Sequence, residues 1–168
     1  MWFTVAVAII VLALVGTAAV LIVQALNPPP SDIDQSTTEV TGGDIGRQVE
    51  LTGPEGSGRV TATGARWTSE GTAAPIPGTS YLVVDVSLEG TSGELTTGAV
   101  FAVVIAADGQ RYGVSYGPVL DPLLTSRVLA PGETNTGQLG YQLAPGPVQL
   151  EFQTPQGVRL GSVEIPGP

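Results

Sequence analysis

The side chains of this sequence best equipped for chemistry are carboxylates. Asp and Glu number 15 against six basic residues, all of them arginine, and histidine, cysteine and lysine are absent. Without imidazole, thiolate or amine, any reaction would fall to carboxylates, hydroxyls, guanidiniums and backbone amides. Glycoside hydrolysis requires two carboxylates facing each other across a cleft, one of them with a raised pKa. Asp85, Glu89, Asp108 and Asp121 are the residues to weigh against that chemistry. Each has a plainer place: Asp85 and Glu89 on the outward face of an alternating strand pattern, Asp108 in an Asp-Gly turn, Asp121 before a proline in a connection. No G-x-S-x-G elbow, phosphate loop or dinucleotide fingerprint occurs. The expectation is a protein that is not an enzyme and takes no cofactor. Asp32, Asp34 and Glu39 could offer oxygen ligands to a hard cation, but three carboxylates on a linker make a poor cage, so no metal site is expected.

Binding leaves clearer marks. Residues 113–127 are long for a connection in a small domain, and long connections often carry function. Within them Asp121 and Pro122 suit a helix cap and first helical position. That turn would present Val119, Leu120, Leu123 and Leu124 as an apolar knob beside Tyr116. These five residues are the candidate partner contact; the competing reading is that they plug an open end of the fold. Trp67, Tyr112 and Tyr116 either form an aromatic shelf for sugar or peptide or serve as core and edge packing. A formal net charge of −9 and a pI near 4.1 argue against nucleic acid as a partner, because phosphate backbones are bound by Lys and Arg displacing counterions.

The elements that must position these residues are β throughout. From residue 47 onward, short apolar runs alternate with Gly and Pro punctuation, the pattern of an all-β sandwich or barrel. In the clearest strand, 81–89, Leu82, Val84, Val86 and Leu88 share one face and should be central core. Residues 100–107 are apolar on both faces and turn at Asp108-Gly109 into 110–114. Alternating runs 138–143 and 148–153 are joined by Ala144-Pro145-Gly146-Pro147, and Thr154-Pro155-Gln156-Gly157 leads into 158–165. With 48–52 and 60–67 this predicts seven to nine strands and no helix after Leu26.

Ahead of that domain, residues 2–26 are uncharged and almost wholly apolar, and about 20 such residues cross a bilayer as an α-helix. The stretch lacks the early basic residue of a signal peptide and is longer than its apolar core, which favours an uncleaved anchor. The predicted organisation is a transmembrane segment 1–27, a Pro-rich acidic flexible tether 28–46 and a β domain 47–168. The lipid bilayer is then a partner through residues 2–26, and the expected location is a single pass in the cell membrane with the C-terminal domain outside the cytoplasm. The alternative is a secreted soluble protein released by cleavage near Ala25.

Several short motifs carry a family resemblance. These are Tyr81-Leu82-Val83-Val84-Asp85-Val86, Ala107-Asp108-Gly109-Gln110-Arg111-Tyr112, Leu129-Ala130-Pro131-Gly132-Glu133-Thr134 followed by Gly137, and Tyr141-Gln142-Leu143, and the resemblance they carry covers about half the chain. In these the chain resembles an immunoglobulin-like domain of unknown function found on membrane-anchored and lipid-modified surface proteins of Gram-positive bacteria, related to a secreted mycobacterial antigen. Leu88-Glu89-Gly90-Thr91 departs from the Asn-Thr-Gly turn usual there. The resemblance implies an immunoglobulin-like antiparallel β-sandwich at the cell surface, and it implies no catalytic residues. Together these readings predict a tethered, non-catalytic module that spaces or binds, with an envelope protein as partner.

Overall fold

The computed structural model describes residues 36–168. The expected membrane segment 1–27 and the first part of the tether, 28–35, lie outside the described residues. Eleven strands occur among those described: β1 (Thr37–Val40), β2 (Gln48–Thr52), β3 (Gly56–Thr68), β4 (Ser80–Gly93), β5 (Leu95–Thr97), β6 (Ala102–Ala106), β7 (Arg111–Tyr112), β8 (Arg127–Leu129), β9 (Thr134–Leu143), β10 (Val148–Gln153) and β11 (Arg159–Ile165). A single 3-10 turn, Ala99–Phe101, leads into β6.

Every pairing between these strands is antiparallel. The first sheet runs β1-β3-β4-β9 with β2 also on β3, the second runs β11-β10-β6-β7, and β5 pairs with β8 alone. Period-two alternation explains how the two larger sheets meet. Leu82, Val84, Val86 and Leu88 of β4 point inward beside Val60, Ala62, Ala65 and Trp67 of β3 and Leu139 and Tyr141 of β9. Val148, Leu150 and Phe152 of β10, with Val104, Val163 and Ile165, join the same buried cluster from the second sheet. Two half-apolar faces closed on one core make a β-sandwich. Tyr141 ties the layers together: it is fully buried, and its phenol donates across the core to the Ala102 carbonyl at 3.3 Å. Burial pushes that phenol far above the usual tyrosine range, so it stays a neutral donor.

Eleven strands replace the seven to nine expected. β1, β5 and β8 have no predicted counterpart, and β5 and β8 span only three residues each, too few to display a period, while the strand expected over 110–114 shortens to β7. The other correction concerns the tether, whose second half, 36–46, belongs to the domain. β1 pairs Thr37 with Thr68 and Val40 with Ala65, and Val40 is buried in the core. Asp44 then fastens the chain to β11, its N–H donating to the Glu164 carbonyl at 2.9 Å and its Oδ2 accepting from Glu164 N at 3.0 Å. A mostly polar stretch, with only Val40 and Ile45 reaching the core, is seated by backbone pairing, which composition does not register. The strand expected over 100–107 is also shorter, because 99–101 coil into the 3-10 turn before β6 begins.

Candidate functional site

Residues 113–127 form a strap along β9, the edge strand of the first sheet. Ser115 N donates to the Gly140 carbonyl at 2.7 Å, Leu124 N to the Gln138 carbonyl at 3.0 Å, and Gln138 N to the Pro122 carbonyl at 2.7 Å. The strap thereby takes up backbone groups that an open edge would offer to another chain. The Gln138 side chain is a second clasp, accepting from Asp121 N at 2.8 Å and donating to Asp85 Oδ1 at 2.7 Å. Approach is close enough that two strand positions must be glycine. A Cβ at Gly140 would stand 2.6 Å from Pro118 Cγ, and one at Gly137 would stand 2.6 Å from Leu124 Cα. Gly140 faces outward and Gly137 inward, so the strap crosses the edge from the outer surface to the core.

That path separates the five candidate contact residues. Leu124 is 2% exposed and part of the core, so it is not available to a partner. Leu123 packs against the core, bridged to Gln138, and Leu120 is half-buried beside Gly140. Tyr116 and Val119 remain open at 61% and 63% exposure. The expected helical turn at Asp121 and Pro122 is absent: residues 121–122 form a plain turn, and Leu123 then bridges to Gln138 on β9. The strap also explains why Tyr81 and Val83, on the outward face of β4, are buried. A Cβ on Gly117 would strike the Tyr81 ring, and Val83 is paired with Gly140, which lies under Pro118. Hydrophobic pattern alone cannot report cover supplied by a distant connection.

The aromatic shelf does not assemble. Trp67 is buried on the inner face and Tyr112 is packed against the core, leaving Tyr116 outside. The carboxylates are similarly occupied or dispersed. Asp85 gives one oxygen to Gln138 and the other to Arg66 Nη1 at 3.4 Å. Glu89 sits opposite Arg59 in the β3–β4 register, and Asp108 accepts from Gln110 N at 2.9 Å in its turn. Among the described residues, no group of three carboxylates is placed to hold a metal ion. An open groove of about 360 Å³ lies elsewhere, at one end of the second sheet between Gly43, Ile105, Pro147, Val148, Glu164 and Pro166. Its walls are mainly apolar and come from three separate turns and strand ends, a juxtaposition without a sequence signature.

No protein-family model matches the chain, and no curated protein matches its sequence. Solved structures do share its fold. MPT63, a secreted protein from Mycobacterium tuberculosis, superposes with a TM-score of 0.52 at 18% identity, covering 73% of this chain and 95% of that one. A candidate lipoprotein from Bacillus subtilis gives a TM-score of 0.55 at 13% identity, covering 79% of this chain but 39% of that one, so this chain spans about two-fifths of its length. At such identities the likeness is one of fold: a β-sandwich of a kind found in bacterial proteins.

Proposed function

We propose that this chain is an extracytoplasmic, non-catalytic immunoglobulin-like module, tethered to the cell membrane by residues 2–26, that contacts another protein of the cell envelope. The observation that carries the reading is the strap. It is fastened to the main sheet through backbone, glutamine side chain and glycine contacts, yet turns Tyr116 and Val119 outward. Tyrosine is enriched at protein contact surfaces, and a rigid support presents it at low entropic cost. The length and apolarity of residues 2–26 support the tether. Carboxylates already committed to arginine, glutamine or turn amides support a non-catalytic role.

Photocrosslinking in cells tests the contact. A photoreactive residue at position 116 or 119 should yield a reproducible adduct with an envelope protein, and one at 124 should yield none. Solvent products alone from 116 and 119 would overturn the strap as contact surface. A second reading, a secreted soluble protein cleaved near Ala25, is favoured by one observation: MPT63, of which this chain covers 95%, is itself described as a secreted protein.

A further inference from the structure

Of the six arginines, three are matched one to one with carboxylates, Arg127 donates to the Thr134 carbonyl at 3.3 Å, and the remaining two share one carboxylate. Arg47 pairs with Asp44, Arg59 with Glu50 and Arg66 with Asp85. On the outward face of the second sheet, two arginines share a single carboxylate. Arg111 Nη2 stands 2.8 Å from Glu151 Oε1, and Arg159 Nε stands 3.6 Å from Glu151 Oε2. The register explains the convergence: Glu151 is central, opposite Val103 on β6 and Ser162 on β11, while Arg111 reaches it from β7 and Arg159 from along β11. Gln153 Nε2 also donates to Glu151 Oε1 at 2.7 Å, and Arg159 Nη2 donates to Ser162 Oγ at 2.7 Å.

The carboxylate is the floor and the guanidiniums are the rim. The Glu151 side chain is 8% exposed, whereas those of Arg111 and Arg159 are 50% and 57% exposed. Burial pushes the Glu151 carboxyl up, but the bonds from Gln153 and Arg111 and the charges of Arg111 and Arg159 outweigh it and hold it below its ordinary value. The cluster is therefore +1 near neutral pH, on a chain of formal charge −9. Each guanidinium has five N–H donors in a planar fork suited to carboxylate, and these contacts occupy only a few of them. Val103, half-buried opposite Glu151, adds no charge to the cluster.

We propose that Arg111 and Arg159 are a carboxylate-recognition pair, which takes one acidic side chain of the envelope protein partner across Glu151. This rests on the proposed function for the existence of a protein partner. Charge decides the partner's character. The field of an acidic chain repels a polyanion but attracts a basic surface. A lone carboxylate among lysines or arginines satisfies both the local +1 and the surrounding negative field.

Two blocked peptides, Lys-Gly-Glu-Gly-Lys and Lys-Gly-Gln-Gly-Lys, test this on the full chain in nanodiscs of uncharged lipid, with binding read from the arginine Nε–H resonances. The Glu peptide should bind about fivefold more tightly, although the Gln peptide carries the greater positive charge and would win on the global field alone. R111Q and R159Q, both at half-exposed positions, should each abolish that preference without lowering Tm by more than a few degrees, and Arg111→Lys should weaken it. E151Q, which leaves the local charge at +2, should strengthen Glu-peptide binding. Equal or tighter binding of the Gln peptide, or a preference unchanged in R111Q and R159Q, would overturn the proposal. So would displacement of the Glu peptide by inorganic phosphate where acetate at the same concentration has no effect. Crosslinking from 116 and 119 reads the partner separately, so adducts retained without a peptide preference would remove the arginine pair and leave the module's function standing.

Discussion

At the scale of single residues, charge in this protein is organised by local pairing rather than by a reacting centre. Glu151 is the clearest case, because its ionised form is held by two arginines and a glutamine in a place where burial alone would favour the neutral form. Its folded pKa lies below the ordinary value of 4.5, so the stabilisation it provides is fully present above that value and is lost as pH falls through the folded pKa. Glu151→Gln should therefore lower the urea midpoint at pH 7 and converge on the unsubstituted protein in strong acid. A gap between the two that stays constant from pH 7 into acid would contradict this origin. Tyr141 offers the neutral counterpart, a phenol that burial keeps protonated so that it can donate between layers.

At the scale of elements, the strap is the part whose role depends most on position. One side of it is core and the other is surface, within a few residues. Leu124→Ala should cost about 2–5 kcal/mol, because a fully enclosed leucine leaves a cavity. Val119→Ala should stay within about 0.5 kcal/mol, as expected of an exposed side chain. Gly140→Ala tests the fit between strap and strand: a methyl group 2.6 Å from Pro118 Cγ must lift the strap, at about 1–3 kcal/mol. Urea unfolding of the three variants checks the series, and equal losses from Leu124→Ala and Val119→Ala would contradict the two-sided placement. β1 makes a related point at the other edge of the same sheet. Its four residues close the outer side of β3 and carry the chain into the domain at Thr37.

At the scale of the whole molecule, the question is how a β-sandwich is held and where. Among the described residues no helix is long and apolar enough to cross a membrane, and the proposed tether is the apolar stretch 2–26. Because 37–46 is bound into the sheet and to β11, exposed backbone ahead of the domain should end near Ser36. A membrane-impermeable protease on intact cells should release a fragment whose new terminus lies before Thr37. Complete protection of the domain would overturn the outward topology. Mass spectrometry of the mature protein separates tether from secretion: retention of Trp2 supports the anchor, and a terminus just after Ala25 supports the secreted form.

The alternation of Leu82, Val84, Val86 and Leu88, the Asp108-Gly109 turn and the proline-glycine connections were enough to determine an antiparallel all-β fold, because strand periodicity and turn chemistry are local properties. The absence of histidine, cysteine and lysine likewise bounded the chemistry without any coordinates. Tertiary structure alone decided which apolar residues are covered. Leu124 and Val119 read alike in sequence, and only the crossing of β9 at Gly137 and Gly140 sends one inward and leaves the other outside. It alone brought Arg111, Glu151 and Arg159 together, from three strands up to 48 positions apart in the chain, since Arg111 lies in β7 and Arg159 in β11. It also drew residues 37–46 out of the tether, because a short polar strand is stabilised by the backbone partner it finds rather than by its own side chains.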